Sequence, residues 1–353
     1  MLATACGSPN ASRTTNAVAS TARSSGNPTS PTASAPAIRS LALVTLRGSN
    51  DIVVRDITDI SHPKTVANLG AVSNPVFVNA TEISYADGSN LYRAPLVGFP
   101  KTLVTAQGGA GTWSPDGAAV LYATSDEAGT TTTVHELKGG QDRLLGSVPG
   151  GGVGGCETIA SCQIPNFLDF RLLFSPDGAM VSLVATGFSG SSFRLWTADG
   201  ALLMSSDAYG PTMSVWSGSS LYFRDASGVE VWRAGVISPF LPGVIWVKPK
   251  ASPTGGQLVY VARDRSGWSH TYVVDTTTKT VRELNSTRAE PVFFLTSRYI
   301  WYEGERACLA SDACGPTPPF HPLSGKTYIY DLQDGTETES IISHVYDVWP
   351  HAA

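Results

Sequence analysis

The sequence predicts an all-β protein, a seven-bladed β-propeller of four-stranded antiparallel blades, whose ring is closed by a C-terminal strand joining the N-terminal strands. Three observations lead to this fold. The 353 residues include 35 Gly and 23 Pro but only 15% charged residues, a balance typical of many short strands and tight turns. One four-residue turn motif occurs twice in the same surroundings. Weaker copies of its strand pattern fill most of the remaining chain.

The repeated motif is Ser-Pro-Asp-Gly, which stands at 114–117 after Trp113 and at 175–178 after Phe174. These residue types favour a type I turn, because Ser, Pro, Asp and Gly each suit the corner that they occupy. An apolar strand follows each copy, and then come a polar bend, a third strand, a short turn and a fourth strand. Four strands joined as a meander are the sequence form of one propeller blade.

The other blades follow from the same order of strands. Degraded copies lie at 74–98, 213–235, 248–278 and 291–335, the last with a long insertion. The segment 40–70 supplies second, third and fourth strands without a first, and 343–350 supplies a lone first strand. Joining the two ends gives seven units of about 45 residues each, near the ~40–45 residues of a WD-type blade. Closing the ring also removes exposed sheet edges.

The chain divides into three predicted segments. Residues 1–6 are interpreted as the remnant of a lipoprotein signal, because the string around Cys6 resembles the cleavage box at which bacterial lipoproteins are lipidated. The charged start and apolar core of a secretory signal are absent, which a start codon placed too late would explain. Residues 7–38 are rich in Ser, Thr, Pro and Ala and are expected to form a disordered tether. Residues 39–353 form the propeller.

The two motif copies, each followed by an apolar strand and a Gly-containing bend, resemble the WD-repeat-like blades of the TolB propeller family. The resemblance implies a propeller and a bacterial cell-envelope protein that works through contacts with other proteins. Prolyl-oligopeptidase-type enzymes have similar blades. The chain lacks their Gly-x-Ser-x-Gly elbow, and the nearest string, at 187–191, ends in Ser191.

Four further cysteines form two pairs with five intervening residues, Cys156 with Cys162 and Cys308 with Cys314. Each pair is predicted to form a disulfide, which indicates an oxidising compartment and agrees with export. The alternative is a set of reduced loop thiols. A zinc site is less favoured, because structural zinc sites use shorter Cys-Cys spacings. Both pairs fall in long connections that a four-stranded meander brings to one face of the ring.

Seven residues on that face are the candidate ligand or partner contacts. Trp268 lies in a bend among charged residues and is a candidate stacking platform for a sugar or peptide, although packing over its own blade is the slightly favoured explanation. Proline-flanked Phe320 and His321 offer a rigid recognition edge, with a stiff loop as the alternative. The full set is Arg263, Asp264, Trp268, His270, Arg306, Phe320 and His321.

No catalytic, cofactor or metal motif is present, and the net charge of −5 without a basic cluster argues against a nucleic-acid partner. The predicted function is therefore a non-catalytic envelope lipoprotein, monomeric and membrane-attached only through lipid on Cys6, that binds a protein or glycan partner. The alternative is an exported propeller enzyme, a lyase or glycoside hydrolase, whose residues converge from several blades. The protein is predicted to be extracytoplasmic and lipid-anchored, with secreted or cytoplasmic locations as alternatives.

Overall fold

The computed structural model describes residues 39–98, 100–106, 111–126, 130–150, 169–187, 190–207, 212–265, 267–284, 289–307, 320–321 and 326–351. They form strands, turns and bends. No helix occurs among them, and so none that could cross a membrane.

Seven four-stranded antiparallel sheets form the blades of a β-propeller. Blade 1 contains β1 (Leu41–Leu46), β2 (Ile52–Asp56) and β3 (Lys64–Gly70), together with the C-terminal strand β30 (Ile342–Trp349). Blades 2 to 4 contain β4 (Ser73–Asn79), β5 (Glu82–Asp87), β6 (Asn90–Pro95), β7 (Thr102–Thr105), β8 (Gly111–Trp113), β9 (Ala119–Ser125), β10 (Thr131–Lys138), β11 (Gln141–Pro149), β12 (Asp169–Phe174), β13 (Met180–Thr186), β14 (Ser191–Thr197) and β15 (Leu202–Ser206). The predicted fold class is confirmed.

Blades 5 to 7 complete the ring. Their strands are β16 (Thr212–Ser217), β17 (Ser220–Arg224), β18 (Gly228–Arg233), β19 (Val236–Pro242), β20 (Val247–Ala251), β21 (Gln257–Arg263), β22 (Ser269–Asp275), β23 (Val281–Glu283), β24 (Ala289–Phe294), β25 (Tyr299–Gly304), β28 (Thr327–Asp331) and β29 (Glu337–Ser340). A separate two-stranded ladder of β26 (Arg306–Ala307) and β27 (Phe320–His321) lies in the connection between β25 and β28.

The C-terminal strand closes the ring as predicted. It pairs antiparallel with β1, so that Leu41 lies opposite Trp349 and Val44 lies opposite Val345. The backbone N–H of Arg47 donates to the carbonyl of Ile341 at 2.9 Å. Residues from the two ends of the described chain therefore share one sheet, and the inner edge of β1 is paired.

The hydrophobic interior consists of seven separate clusters, and each cluster fills the space between two neighbouring blades. Successive side chains of the second and third strands point to opposite sides of their sheet. Each blade therefore contributes side chains to two clusters. Buried area is thus distributed around the ring. Every blade depends on both neighbours for its stability.

Tryptophans join adjacent blades. Trp113 of blade 3 donates its indole N–H to the hydroxyl of Ser84 in blade 2 at 2.6 Å. Trp216 of blade 5 donates to the hydroxyl of Ser182 in blade 4 at 2.8 Å. Buried Trp301 of blade 7 donates to the carbonyl of Ile342, at the start of the closing strand, at 3.1 Å. Each bond satisfies a buried polar atom across a blade boundary.

The meander assigns every connection to one of two faces. Turns that join the first strand to the second, or the third to the fourth, lie on what we call the turn face. Connections from the second strand to the third, or from one blade to the next, lie on the opposite loop face. Starting from β30, each first strand contacts the next one around the axis, through β4, β8, β12, β16 and β20 to β24. The first strands therefore form the wall of a central channel.

Candidate functional site

A tight bend on the loop face of blade 6 holds three of the predicted site residues. The backbone N–H of Asp264 donates to the carbonyl of Trp268 at 2.9 Å, and the N–H of Trp268 donates back to Asp264 Oδ1 at 3.0 Å. The Trp268 side chain is only 8% exposed. This burial favours the packing role that the sequence left open, because little indole surface is available for stacking. Arg263 is exposed at the end of β21, opposite Ser269.

His270 lies between two carboxylates on the same blade. Its Nδ1 is 2.8 Å from Glu283 Oε1, and its Nε2 is 3.2 Å from Asp264 Oδ2. The side chains are 27%, 52% and 38% exposed, in the order His270, Glu283 and Asp264. Burial and then the charges of Glu283 and Asp264 raise the pKa of neighbouring Tyr272. The result is a solvent-accessible row of one imidazole and two carboxylates that can bind hydroxyl or cationic groups.

A cross-blade contact joins this bend to the remaining predicted residues. Glu305, directly after β25 of blade 7, accepts the backbone N–H of Ser269 at 3.1 Å and its hydroxyl at 2.8 Å. The next residue, Arg306, lies opposite His321 in the two-stranded ladder. The structure thus brings the blade 6 bend and the ladder of blade 7 to one part of the loop face, which we call the loop-face site.

Parts of the predicted site lie outside the described residues. The backbones of Arg306, Phe320 and His321 are described, and their side chains are not. All five cysteines also fall outside, so the two disulfides and the lipidation of Cys6 stay predictions. Among described side chains, no group of three or more His, Cys, Asp and Glu is arranged to hold a metal ion.

The central channel contains a second candidate site that the sequence did not reveal. Its main cavity has a volume of about 710 Å³ and is lined by first strands of every blade, including the closing strand. Most lining residues are aliphatic, aromatic or proline. On the turn face, the cavity is bordered by four prolines that follow first strands: Pro115, Pro176, Pro253 and Pro350.

Two cationic side chains lie in the wall of this cavity. Arg171 of β12 donates from one guanidinium nitrogen to the carbonyl of Ser214 at 3.2 Å, and another of its nitrogens lies 3.6 Å from Met213 Sδ. Lys250 of β20 places its ammonium 4.2 Å from the ring centre of Phe293 on β24. Both contacts cross from one blade to the next, so they hold the cations against the channel wall.

One carboxylate and one imidazole of the closing strand segment also line the cavity. Asp347 Oδ2 accepts the backbone N–H of Phe77 at 2.8 Å and lies 2.9 Å from His351 Nε2. Burial alone would lower the pKa of His351, but the charge of Asp347 and the hydrogen bond to it outweigh burial and raise that pKa. This pair ties the closing strand of blade 1 to the first strand of blade 2.

The first strands of four blades carry a β-bulge at the same point near the loop face. The register shifts between Ser73 and Val76 in blade 2, and at the corresponding places in blades 5, 6 and 7. Three non-glycine residues in these bulges adopt positive φ: Asn74 at 48°, Met213 at 50° and Lys248 at 50°. Such strained backbone is uncommon outside functional sites and close packing.

The loop-face end of the channel gathers further titratable groups. Burial raises the pKa of Glu303, at the end of β25, against the opposing effect of Lys248. Burial and then the charge of Lys248 lower the pKa of His344. The His344 ring packs edge-on against Tyr346, with 4.6 Å between ring centres. A smaller cavity of about 290 Å³ lies beside this end and is lined by Asn74, Gly111, Phe170 and Tyr346, among others.

No protein-family model matches this chain, and no curated protein matches it. Solved structures do match. Prolyl oligopeptidase B from Galerina marginata is 10% identical, over 84% of this chain and 47% of that one, with a TM-score of 0.56. An oligogalacturonate lyase, solved with manganese, is 13% identical, over 85% of this chain and 83% of that one, with a TM-score of 0.54. TolB from Acinetobacter baumannii is 17% identical, over 71% of this chain and 64% of that one, with a TM-score of 0.44.

These identities show the fold alone. The chain spans less than half of the oligopeptidase, so the activity of that whole enzyme is not carried over. The structural neighbours include TolB proteins and enzymes built on propellers. The fold and the closing strand define the chain as a closed seven-bladed β-propeller.

Proposed function

We propose that this propeller is a non-catalytic, TolB-like protein of the bacterial cell envelope that binds a protein or glycan partner through its loop-face site. The observation that carries the proposal is the contact of Glu305 with Ser269, because it holds the exposed polar groups of the blade 6 bend next to the backbone ladder of blade 7. Ordered bends on a rigid scaffold are where binding residues concentrate.

The chemistry of the loop-face site suits a polar partner. Asp264, His270 and Glu283 present acceptors and an imidazole at the surface, which match the hydroxyls of a glycan or the amides and cations of a peptide. Arg263 adds an exposed guanidinium beside them. Rim charges of this kind act mainly on the rate of association and on partner choice.

Site-specific photocrosslinking in cells tests partner binding. A benzophenone amino acid replaces Arg263 at the loop-face site, and in a matched variant it replaces Lys138, which is exposed on the turn face. We expect discrete crosslinked products with position 263 and none with position 138. Combining the position-263 probe with His270→Ala is expected to weaken the same products. Equal products at both positions, or none at 263, would reject the loop-face site as the binding surface.

A glycan array separates the two classes of partner. The unmodified protein, Asp264→Asn and Lys138→Ala are applied at equal concentration. Binding to a glycan that is lost in Asp264→Asn and kept in Lys138→Ala supports a glycan partner. Crosslinked products together with an empty array support a protein partner.

The proposed cellular location is tested separately. Lipid attachment predicts that Cys6 incorporates an alkyne-labelled fatty acid in a bacterial host and that Cys6→Ser does not. Disulfides between Cys156 and Cys162, and between Cys308 and Cys314, predict four thiols that react with a maleimide only after reduction. Reactive thiols at all four of these cysteines in the native protein would support the cytoplasmic alternative.

A catalytic function is the second candidate, and the titratable group at the loop-face end of the channel favours it. Burial raises the pKa of Glu303 and lowers that of His344, and the charge of Lys248 acts on both groups. Clusters of groups with perturbed pKa values are found at catalytic sites. The test is incubation with polysaccharides, followed by ultraviolet absorbance for lyase products and a reducing-end assay for hydrolysis. Activity that disappears in Glu303→Gln would establish the enzyme. No turnover across the panel would support the binding function.

A further inference from the structure

We propose that blade 3 carries an acyl-acceptor site, in which His135 and Asp142 activate a threonine hydroxyl toward an ester or thioester. The hydroxyl belongs to Thr124 of β9 or Thr133 of β10. None of these four residues belongs to the loop-face site or lines the main cavity. Acylation modifies the chain itself, so the proposal goes beyond partner binding, and neither depends on the other.

A continuous chain of hydrogen bonds joins the carboxylate to the two hydroxyls. His135 Nδ1 lies 3.2 Å from Asp142 Oδ2. On the other side of the ring, His135 Nε2 lies 3.2 Å from Thr133 Oγ1 and 3.3 Å from Thr124 Oγ1. The two threonine oxygens are 2.6 Å apart. A carboxylate, an imidazole and a hydroxyl in this order form the arrangement that activates a hydroxyl nucleophile.

The direction of these hydrogen bonds follows from the chemistry of the groups. An ionised carboxylate only accepts, so Nδ1 of His135 carries the ring proton and Nε2 presents a lone pair to a hydroxyl. The direction of the 2.6 Å bond decides which threonine donates to Nε2. The Tyr122 hydroxyl also hydrogen-bonds to Asp142, and burial and then this contact raise the pKa of Tyr122 to about 12. Tyr122 therefore stays a donor at neutral pH and holds the carboxylate from a second side.

The equivalent position in other blades shows what His135 adds. In three blades, a tyrosine of the second strand stacks on a tyrosine directly opposite it in the third strand: Tyr85 on Tyr92 in blade 2, Tyr260 on Tyr272 in blade 6 and Tyr302 on Tyr328 in blade 7. In blade 3, Tyr122 lies opposite His135 and stacks on it, with 4.9 Å between ring centres. A tyrosine satisfies the stack elsewhere, so packing does not require an imidazole here.

The site lies at a blade boundary with little apolar packing. Among the described residues, the cluster between blades 2 and 3 contains four buried residues, whereas each of the other clusters contains seven to ten. The side chains of His135 and Asp142 are 20% and 47% exposed, so a small reagent can reach them. Exposed Leu144 lies opposite His135 in β11. It offers apolar surface to the hydrocarbon part of an acyl group.

Acyl transfer at this site balances without a further reactant. The threonine oxygen attacks the carbonyl carbon of the acyl donor, and its proton passes to His135 Nε2. The bond between the carbonyl carbon and the leaving oxygen or sulfur then breaks, and Nε2 returns the proton to that leaving atom. The products are an acyl-threonine ester and a free alcohol or thiol. Asp142 is a positioning residue, because it acts only through His135.

The probe is p-nitrophenyl acetate, applied to the full chain. Absorbance of the released nitrophenolate gives the rate of acylation, and peptide mass spectrometry locates the acetyl group. We expect acetylation of Thr124 or Thr133. His135→Tyr keeps the ring stack of blades 2, 6 and 7 and should slow this acetylation roughly 100-fold, because the base is lost. Asp142→Asn should slow it by about tenfold or more, because the tautomer of His135 is no longer fixed.

The chain offers a matched control for His135. His62, on the turn face of blade 1, forms a histidine–carboxylate pair of the same length, with Nδ1 3.2 Å from Asp59 Oδ2. His62→Tyr should leave the rate of threonine acetylation unchanged. Thr124→Val combined with Thr133→Val should abolish it. Thermal unfolding shows whether each variant is folded, and if the double variant is not, the two single variants are scored by the position of the acetyl group.

Two results would overturn the proposal. Acetyl groups on lysines alone, with none on Thr124 or Thr133, would show that neither hydroxyl is activated. Equal rates of threonine acetylation in His135→Tyr and His62→Tyr would show that the imidazole of blade 3 plays no part. Both outcomes leave the crosslinking at position 263 unaffected, so this proposal and the loop-face site can fail independently.

Discussion

The two faces of the propeller are built from the same strands but in different ways. Two turns of the turn face have the same set of hydrogen bonds. Ser114 and Ser175 each donate a hydroxyl hydrogen bond to the Asp two residues later at 2.6 Å, and each hydroxyl accepts a backbone N–H at 2.9 Å. The loop face has bulged first strands with positive φ at Asn74, Met213 and Lys248, and connections of unequal length.

This difference separates hydrogen-bonded turns from strained backbone along the propeller axis. Turns that recur with identical hydrogen bonds are explained by the need to join two strands of a blade. Backbone strain at the loop-face end of a first strand is not needed for that purpose, since β12 pairs with β13 in an unbroken register without such a bulge. Substitutions on the turn face should therefore destabilise the fold. Relief of strain on the loop face should stabilise it.

The largest expected effect is at Gly117. Its φ is 67°, and an added Cβ would lie 3.1 Å from Val78 Cγ1 and 3.2 Å from the Val78 carbonyl oxygen. Gly117→Ala should cost about 3 kcal/mol of unfolding free energy, from the left-handed backbone together with crowding. Urea denaturation measures this loss of unfolding free energy.

Gly178 is the matched control for that substitution. It has nearly the same φ, 68°, but the nearest atom to an added Cβ is Pro115 Cδ at 3.5 Å. Gly178→Ala should therefore cost only about 1–2 kcal/mol. Equal losses in the two variants would contradict the role of the Val78 contact.

The next largest loss of stability is expected when the serine hydroxyl of a turn is removed. Ser175→Ala should cost about 2 kcal/mol, because it leaves the backbone N–H of Met180 without its acceptor in a buried turn. Ser252→Ala, in the degraded copy of blade 6, should cost about 1 kcal/mol, since Ser252 accepts from Gln257 at a longer 3.2 Å and lacks the Asp partner. Thermal unfolding of both variants tests the ranking. A larger loss at Ser252 would refute it.

On the loop face, a substitution should increase the unfolding free energy instead of lowering it. Lys248→Gly should stabilise the protein by about 0.5–1 kcal/mol, because glycine adopts a φ of 50° without steric cost. The control is Lys250→Gly, two residues along the same strand outside the positive-φ region, which should destabilise. Chemical denaturation of both variants provides the comparison. A loss of stability in Lys248→Gly would show that the bulge is not strained.

The smallest expected effect is a pH dependence at the closing strand. Because the pKa of His351 is raised in the folded protein, protonation of His351 favours folding. The contribution is complete below the ordinary His pKa of 6.5 and disappears as the pH rises through the raised value. His351→Gln should remove this slope from the plot of denaturation midpoint against pH. A persistent slope in that variant would assign it to another group.

Much of the fold was predictable from local sequence. Ser-Pro-Asp-Gly encodes its own turn, and the hydrogen bond from the Gly117 N–H to the Ser114 carbonyl, 2.8 Å long, closes it. The number of blades followed from the spacing of the copies. Ring closure followed from two incomplete ends, which β1 and β30 complete.

The site was predictable only in part. The sequence selected the blade 6 bend from its charged residues and the ladder of blade 7 from its prolines. It could not reveal that Glu305 joins them, because that contact depends on how two separate sheets pack. Arg171 and Lys250 escaped notice since neither belongs to a motif. A lone lysine on a strand is usually a solvated residue.

The sequence by itself determined the blades, their order and the strand that completes the ring, because turn chemistry and the two-residue alternation of strands act over a few neighbouring residues. Only the tertiary structure decided which side chains face the channel and which loops meet. One inserted residue in a bulge reverses the side on which every following residue lies, and contacts between blades join positions that are distant in the chain.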